Sequence, residues 1–166
     1  MNWKHISEDV IGGIKISNEN ALAILNSPDS QLLEILQAAY TIRYHYFGNK
    51  VSLHLLRNVK SGVCPEDCSF CSQSTKAIND VERYDMQTVE TILNGAEAAV
   101  DRNDKRYCLV SSTRSPSPNE VDTICEAVIQ IKQKYPELEI CSSLGMLTEE
   151  KAIRLKSAGV NRFNHN

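Results

Sequence analysis

Tyr107-Cys-Leu-Val-Ser-Ser-Thr-Arg-Ser-Pro-Ser-Pro-Asn-Glu-Val121 holds a strand, a turn and the start of a helix. Tyr107 to Ser111 is a short apolar run bounded by turn residues, which reads as a strand. Ser117 can cap a helix. Pro118 suits the first helical position, where its missing N–H has no intrahelical partner in any case. Glu120, three residues after the cap, can bond back to the cap's own N–H. The helix so opened carries Val121, Ile124, Cys125, Val128 and Ile131 at helical spacing and stops near Tyr135-Pro136. The stretch therefore predicts one strand–helix unit.

The same alternation repeats on both sides. Downstream, Glu139 to Gly145 reads as a strand. Thr148 then caps a helix with Glu149 and Glu150 in its first turn, Gly159 ends it, and Val160 to Asn166 begins a fourth strand. Upstream, Met86 to Val100 reads as a helix with Val89, Ile92, Leu93 and Ala96 on its apolar face, and Val51, Leu53 and Leu55 mark the first strand. Residues 1–48 form a separate N-terminal helical segment: one helix follows Ser17 and carries Ala21, Leu22, Ile24 and Leu25. Ser27-Pro28 interrupts, and a second helix with Leu32, Leu33, Ile35, Leu36, Ala39 and Ile42 ends near Gly48. Four strands separated by helices over 49–166 predict an α/β fold with a parallel sheet. A closed eight-stranded barrel takes about 250 residues, so 49–166 is either an open α/β sheet or the first half of a barrel, truncated at its fourth strand.

Composition narrows the function. The chain has 166 residues, 42% of them hydrophobic and 23% charged, with a formal net charge of −3. That balance fits a globular protein and offers no basic surface for nucleic acid. Its start, Met1-Asn-Trp-Lys-His-Ile-Ser-Glu-Asp-Val10, lacks the apolar core of a signal peptide, and no apolar run is long enough to span a membrane. The expected location is cytoplasmic, with six reduced cysteines serving metal binding or catalysis rather than disulfides.

Cys64, Cys68 and Cys71 carry the chemistry. They lie in Ser61-Gly-Val-Cys-Pro-Glu-Asp-Cys-Ser-Phe-Cys-Ser-Gln-Ser74, spaced Cys-x3-Cys-x2-Cys, with no fourth Cys or His nearby. A structural zinc site is closed by four protein ligands. An iron–sulfur cubane held by three thiolates instead leaves one iron open to a small molecule. Strand alternation adds further candidates. Cys108, Val110 and Ser112 share one face, as do Cys141 and Ser143, and as do Asn164 and Asn166. The plain alternative for Cys108 and Cys141 is that they are small buried side chains. For strand-end asparagines it is turn chemistry. Cys125, on the apolar face of its helix, reads as packing, and His165, alternating away from the two asparagines, reads as structural.

From Ala21 to Asn166 the chain resembles the N-terminal half of the biotin synthases, a family of radical S-adenosylmethionine enzymes. The likeness rests on Pro28-Asp29, Tyr46-Phe-Gly-Asn-Lys-Val51, Asn58-Val-Lys-Ser-Gly-Val-Cys-Pro-Glu-Asp-Cys-Ser-Phe-Cys-Ser-Gln-Ser74 and Ala158-Gly-Val-Asn-Arg-Phe-Asn-His-Asn166. It implies a (β/α) barrel and sulfur insertion that converts dethiobiotin to biotin. It further implies a 4Fe–4S cluster on Cys64, Cys68 and Cys71, whose open iron takes the amino and carboxylate groups of S-adenosylmethionine. Phe70 would lie near the adenine. Cys108 and Cys141 would be two ligands of a 2Fe–2S cluster, Asn164 and Asn166 would bond the substrate, and Asn166 would also approach the cofactor. An amide both donates and accepts, which suits a ureido ring. No acid–base catalyst is singled out. The family's other implied features are a low-potential electron donor such as flavodoxin and a homodimer.

Where the family pattern has glycines, this chain has Thr113 and Ser115, and the bulk added there predicts an altered loop. The remaining ligands of the second cluster, a Cys and an Arg, fall beyond residue 166 in the family. The 166-residue chain by itself is therefore expected to form no biotin, and its fourth strand to leave an edge open to self-association. Two alternatives share the three-cysteine loop. One is another radical enzyme, such as a hydrogenase-cluster maturase or a methylornithine synthase. The other is a non-catalytic zinc or iron–sulfur binding module.

Overall fold

The computed structural model describes residues 2–165, which fall into two compact units dividing between Val51 and Ser52. The first unit is helical: α1 (Trp3–Ile11), α2 (Asn18–Leu25), a 3₁₀ turn (Asp29–Gln31) and α3 (Leu32–Phe47). The side chains of Asn2 and Ser17 accept from the backbone N–H groups of His5 and Asn20, so both leading helices start on a side-chain cap. Buried Trp3 donates its indole N–H to Gln31 Oε1 at 3.2 Å, and Tyr46 donates to the Val10 carbonyl at 3.4 Å. Helix α1 has no counterpart in the sequence reading. It is short, and its apolar positions are separated by polar residues that approach one another along its surface, Lys4 with Glu8 and His5 with Asp9, each at 3.7 Å.

The second unit runs β1 (His54–Lys60), α4 (Val89–Asp101), β2 (Arg106–Ser111), α5 (Pro118–Lys134), β3 (Glu139–Ser143), α6 (Glu149–Ala158) and β4 (Arg162–Phe163). The four strands are parallel and adjacent in the order β1-β2-β3-β4. Along β2 and β3 burial alternates strictly. Tyr107, Leu109 and Ile140 are fully buried against the helices, while Arg106, Cys108, Val110, Glu139, Cys141 and Ser143 are half-buried on the other face. Ile92 and Ala96 of α4, Val121, Ile124, Val128 and Ile131 of α5, and Leu155 of α6 complete one core. A buried Ile or Leu contributes about 1.5–3 kcal/mol, so a slip of one residue in any strand, exposing this row, is heavily disfavoured.

A doubly wound sheet reverses its strand order and carries helices on both faces. Here the order never reverses and the buried residues lie on one face. The unit thus has the arrangement of a partial (β/α) barrel, which decides between the two architectures the sequence allowed.

The caps expected at Ser117, Thr148 and Gly159 form: Ser117 and Glu120 make a reciprocal capping box on α5, Thr148 caps α6, and Gly159 closes it at φ +112°. Thr88 caps α4, which therefore starts at Val89 rather than at Met86. Two strands differ. β1 starts later and extends to Lys60, because its second half is held by ladder bonds through polar Arg57, Asn58 and Lys60, which carry no apolar pattern. β4 is confined to Arg162–Phe163. Among the described residues no helix is long and apolar enough to cross a membrane.

Candidate cluster and cofactor site

The connection from β1 to α4 covers residues 61–88, far longer than the usual strand–helix loop, and long loops of this kind are commonly functional. It is tied to the sheet at both ends. Ser61 and Tyr84 exchange backbone bonds at 3.0 and 3.1 Å, Tyr84 donates its hydroxyl to the Asn58 carbonyl at 2.9 Å, and Gln87 N–H reaches Val59 O at 2.8 Å. Between these ties the cysteine segment closes on itself. Cys64 N–H donates to Gln73 O at 3.1 Å, Thr75 N–H to Cys64 O at 2.9 Å, and Cys71 N–H to Cys68 O at 3.0 Å.

This folding places Cys64, Cys68 and Cys71 around one cavity of about 350 Å³ at the C-terminal ends of the strands, the end at which barrel enzymes build their sites. Phe70 also lines it and is 80% exposed. The opposite wall comes from Val110 to Arg114, at the end of β2 and just beyond it, and from Ser143, Gly145 and Met146, at the end of β3 and just beyond it. The two walls are joined. Ser112 Oγ accepts from Val63 N–H at 3.3 Å, and Arg114 stands 3.5 Å from Glu66. Among the described residues no three His, Cys, Asp or Glu side chains gather as they would about a single metal ion. Cys64, Cys68 and Cys71 all line the one cavity, and thiolates are the donor type that holds an iron–sulfur cluster.

Cys108 and Cys141 are cross-strand neighbours, paired in register between β2 and β3. They share their face with Val110 and Ser143, which carry that face up to the cavity. Burial pushes the Cys108 thiol up to about 11, helped by the charge and hydrogen bond of Cys141 and opposed by Arg106. On that face, away from the cavity, Arg106 donates through Nε and Nη2 to one oxygen of Glu139, at 3.0 and 2.6 Å. Arg162 of β4 stands 3.7 Å from the same oxygen. The Arg106 hydrogen bond is the main reason the Glu139 carboxyl lies below its ordinary range. Cys125 is buried on the helix side of the sheet, apart from this face.

The last segment is placed only in part. Asn164 is exposed, one residue beyond β4, and its N–H donates to Ser142 O at 2.8 Å. Asn166 lies outside the described residues. The residue of this segment that lines the cavity is His165, a correction to its structural reading. The strict alternation used to turn it away ends with the ladder at Phe163.

Among the described residues Asn103 is the non-glycine residue with positive φ, so neither Thr113 nor Ser115 sits where glycine is required. Thr113 Oγ1 donates to Ser115 O at 2.9 Å, and Lys151 Nζ binds Ser115 Oγ and Pro116 O at 3.2 and 2.6 Å. The glycine this junction does need is Gly145, at φ +72°. Gln73, Arg114 and Met146 were not legible as site residues, because Gln73 acts through contacts that form only when its own loop folds back, and Arg114 and Met146 act through contacts between separate loops.

Residues 58–166 match the model of the radical SAM superfamily. The chain is 50% identical to biotin synthase of Lysinibacillus sphaericus (strain C3-41) over 166 residues, all of this chain and 50% of the relative. It is 46% identical to biotin synthase of Salinibacter ruber over 99% of this chain and 45% of the relative. The chain thus spans about half the length of the curated relatives it matches. In fold it is similar to methylornithine synthase (TM-score 0.78, 23% identity, 96% of this chain and 46% of that one). A maturase of the FeFe-hydrogenase is similar too (TM-score 0.76, 20% identity, 99% and 36%). With more than half its length matched by the family model, and three cysteines arrayed around a cavity at its strand ends, the chain belongs to the radical SAM superfamily.

Proposed function

We propose that this chain supplies the cofactor-binding half of a biotin synthase, which inserts sulfur between two carbons of dethiobiotin. Residues 1–48 form its helical lead and 49–166 its barrel portion. The observation that carries the reading is spatial. Cys64, Cys68 and Cys71 surround one cavity, and the Cys108–Cys141 pair lies below it on the same sheet face. Similarity over the whole chain to biotin synthases supports it.

In this reading the three loop thiolates hold a 4Fe–4S cluster, and Cys108 and Cys141 contribute two ligands to a 2Fe–2S cluster. Held by the three loop thiolates, a 4Fe–4S cluster would supply one electron for reductive cleavage of S-adenosylmethionine to methionine and a carbon radical able to take hydrogen from an unactivated C–H bond. The chain's own residues do the positioning. Phe70 offers an aromatic face to the adenine, and the walls from Ser111 to Arg114 and from Ser143 to Met146 enclose the cofactor. Asn164 and Asn166 orient the ureido ring. The raised Cys108 thiol stays protonated until metal displaces its proton, because both burial and its neighbouring sulfur oppose the thiolate. A low-potential flavodoxin as reductant and a homodimeric assembly complete the proposal.

Anaerobic reconstitution of the 166-residue chain with iron and sulfide tests it. About four irons and as many sulfides per chain are expected, with a cluster signal lost in Cys68→Ala. Tight, colourless binding of zinc in preference to a cluster would instead indicate a structural binding module.

A further inference from the structure

We propose that Gln73 is a positioning residue that clips the two ends of the cysteine loop together and so sets the orientation of its thiolates. This rests on the assignment of a cluster to Cys64, Cys68 and Cys71. Four hydrogen bonds converge on the one residue. Its side-chain Oε1 accepts from Ser61 Oγ at 3.0 Å and from Gly62 N–H at 2.7 Å. Its carbonyl accepts from Cys64 N–H at 3.1 Å, and its own N–H donates to Cys71 Sγ at 3.4 Å. Three of these bonds reach the start of the loop, and the fourth reaches the last of the three sulfurs.

The partners are themselves fixed. Ser61 and Gly62 are buried, and Ser61 is held by its backbone bonds to Tyr84. Gly62 has φ +69°, a conformation glycine adopts without strain, and a Cβ there would stand 2.6 Å from Arg83 Cγ, so the position disfavours a side chain. Gln73 therefore anchors the cysteine loop to the end of β1. Its N–H bond to Cys71 is of the kind that tunes cluster potentials. Removing a polar group that orients metal ligands commonly costs about 10–100-fold in metal affinity.

The test uses Gln73→Ala, Ser61→Ala and the double variant of the full chain. After reconstitution, iron release to a chelator is expected to be about tenfold faster in Gln73→Ala and less affected in Ser61→Ala. The double variant should be no worse than Gln73→Ala, because both changes remove the same contact. The electron paramagnetic resonance spectrum of the reduced cluster should also change in Gln73→Ala, which a residue that merely stabilises the fold would not cause. Hydrogen exchange at the Gly62 amide in the metal-free protein supplies an independent arm, with faster exchange expected in Gln73→Ala. Unchanged exchange, unchanged iron release, or fully additive effects of the two substitutions would each overturn the proposal. If the wild-type chain takes up no cluster, the cluster assignment fails, while the exchange measurement still decides whether the clip exists.

Discussion

At Gly145 the chain has no room for a side chain. Its φ is +72°, and a Cβ there would collide with the Arg114 carbonyl oxygen and lie 2.6 Å from that of Thr113. Met146 N–H donates to the same Arg114 oxygen at 2.7 Å, so the loops after β2 and β3 are joined backbone to backbone at the cavity wall. Gly145→Ala would add left-handed strain of about 1–2 kcal/mol to a clash with rigid backbone. A fall in melting temperature of about 5 °C or more is expected, and an unchanged melting curve would refute this account of the junction. The residue scale also shows what sequence can carry. The three loop cysteines were legible from spacing, and the facing of Cys108 and Cys141 from strand alternation. Gln73, Arg114 and Gly145 were not, since their partners Ser61, Glu66 and Thr113 meet them only when separate segments fold together.

Among the elements, α5 was read almost to the residue because its start is written locally in Ser117, Pro118 and Glu120. Helix α1 and the polar end of β1 were missed because tertiary packing and ladder bonds, not local pattern, define them. Glu120 joins both kinds of information. It completes the capping box through Ser117 N–H at 2.6 Å, and it reaches across to Lys60 of β1 at 2.7 Å, with both side chains largely buried. Burial pushes its carboxyl up, but the hydrogen bonds from Lys60 and Ser117 outweigh that and hold it below the ordinary value. A depressed carboxyl binds fewer protons folded than unfolded. Its stabilisation is therefore complete above the unfolded pKa, about 4.3, and is lost as pH falls through the lower folded value. Glu120→Gln should cost about 1–3 kcal/mol at neutral pH in urea unfolding. The gap to wild type should narrow below about pH 4. A gap that stays constant on acidification would show that the charge on Glu120 does not contribute.

For the whole molecule, the placement of six cysteines sets a limit on what the chain assembles by itself. Three surround the cavity, Cys125 is buried against helices on the other side of the sheet, and Cys108 and Cys141 remain as a pair on the open face. A 2Fe–2S cluster takes four protein ligands, and the neighbours of that pair in the strand register are Leu56 on β1 and Arg162 on β4. Leu56 is 59% exposed and offers no donor atom, while Arg162 is drawn toward Glu139. If the proposed second cluster formed on this pair, the strand register would supply it with two of its four ligands. The 166-residue chain assayed alone should therefore retain about four irons rather than six after gel filtration. That number should be unchanged in a Cys108→Ala, Cys141→Ala double variant. Without the second cluster of the proposed reading, the chain assayed alone should release no biotin from dethiobiotin. It should still cleave S-adenosylmethionine slowly when reduced, because the loop and its cavity wall come entirely from residues 58–146 and His165. Six irons with a separate 2Fe–2S signal that disappears in the double variant would overturn this limit, and would mean that side chains outside the strand register complete the second site.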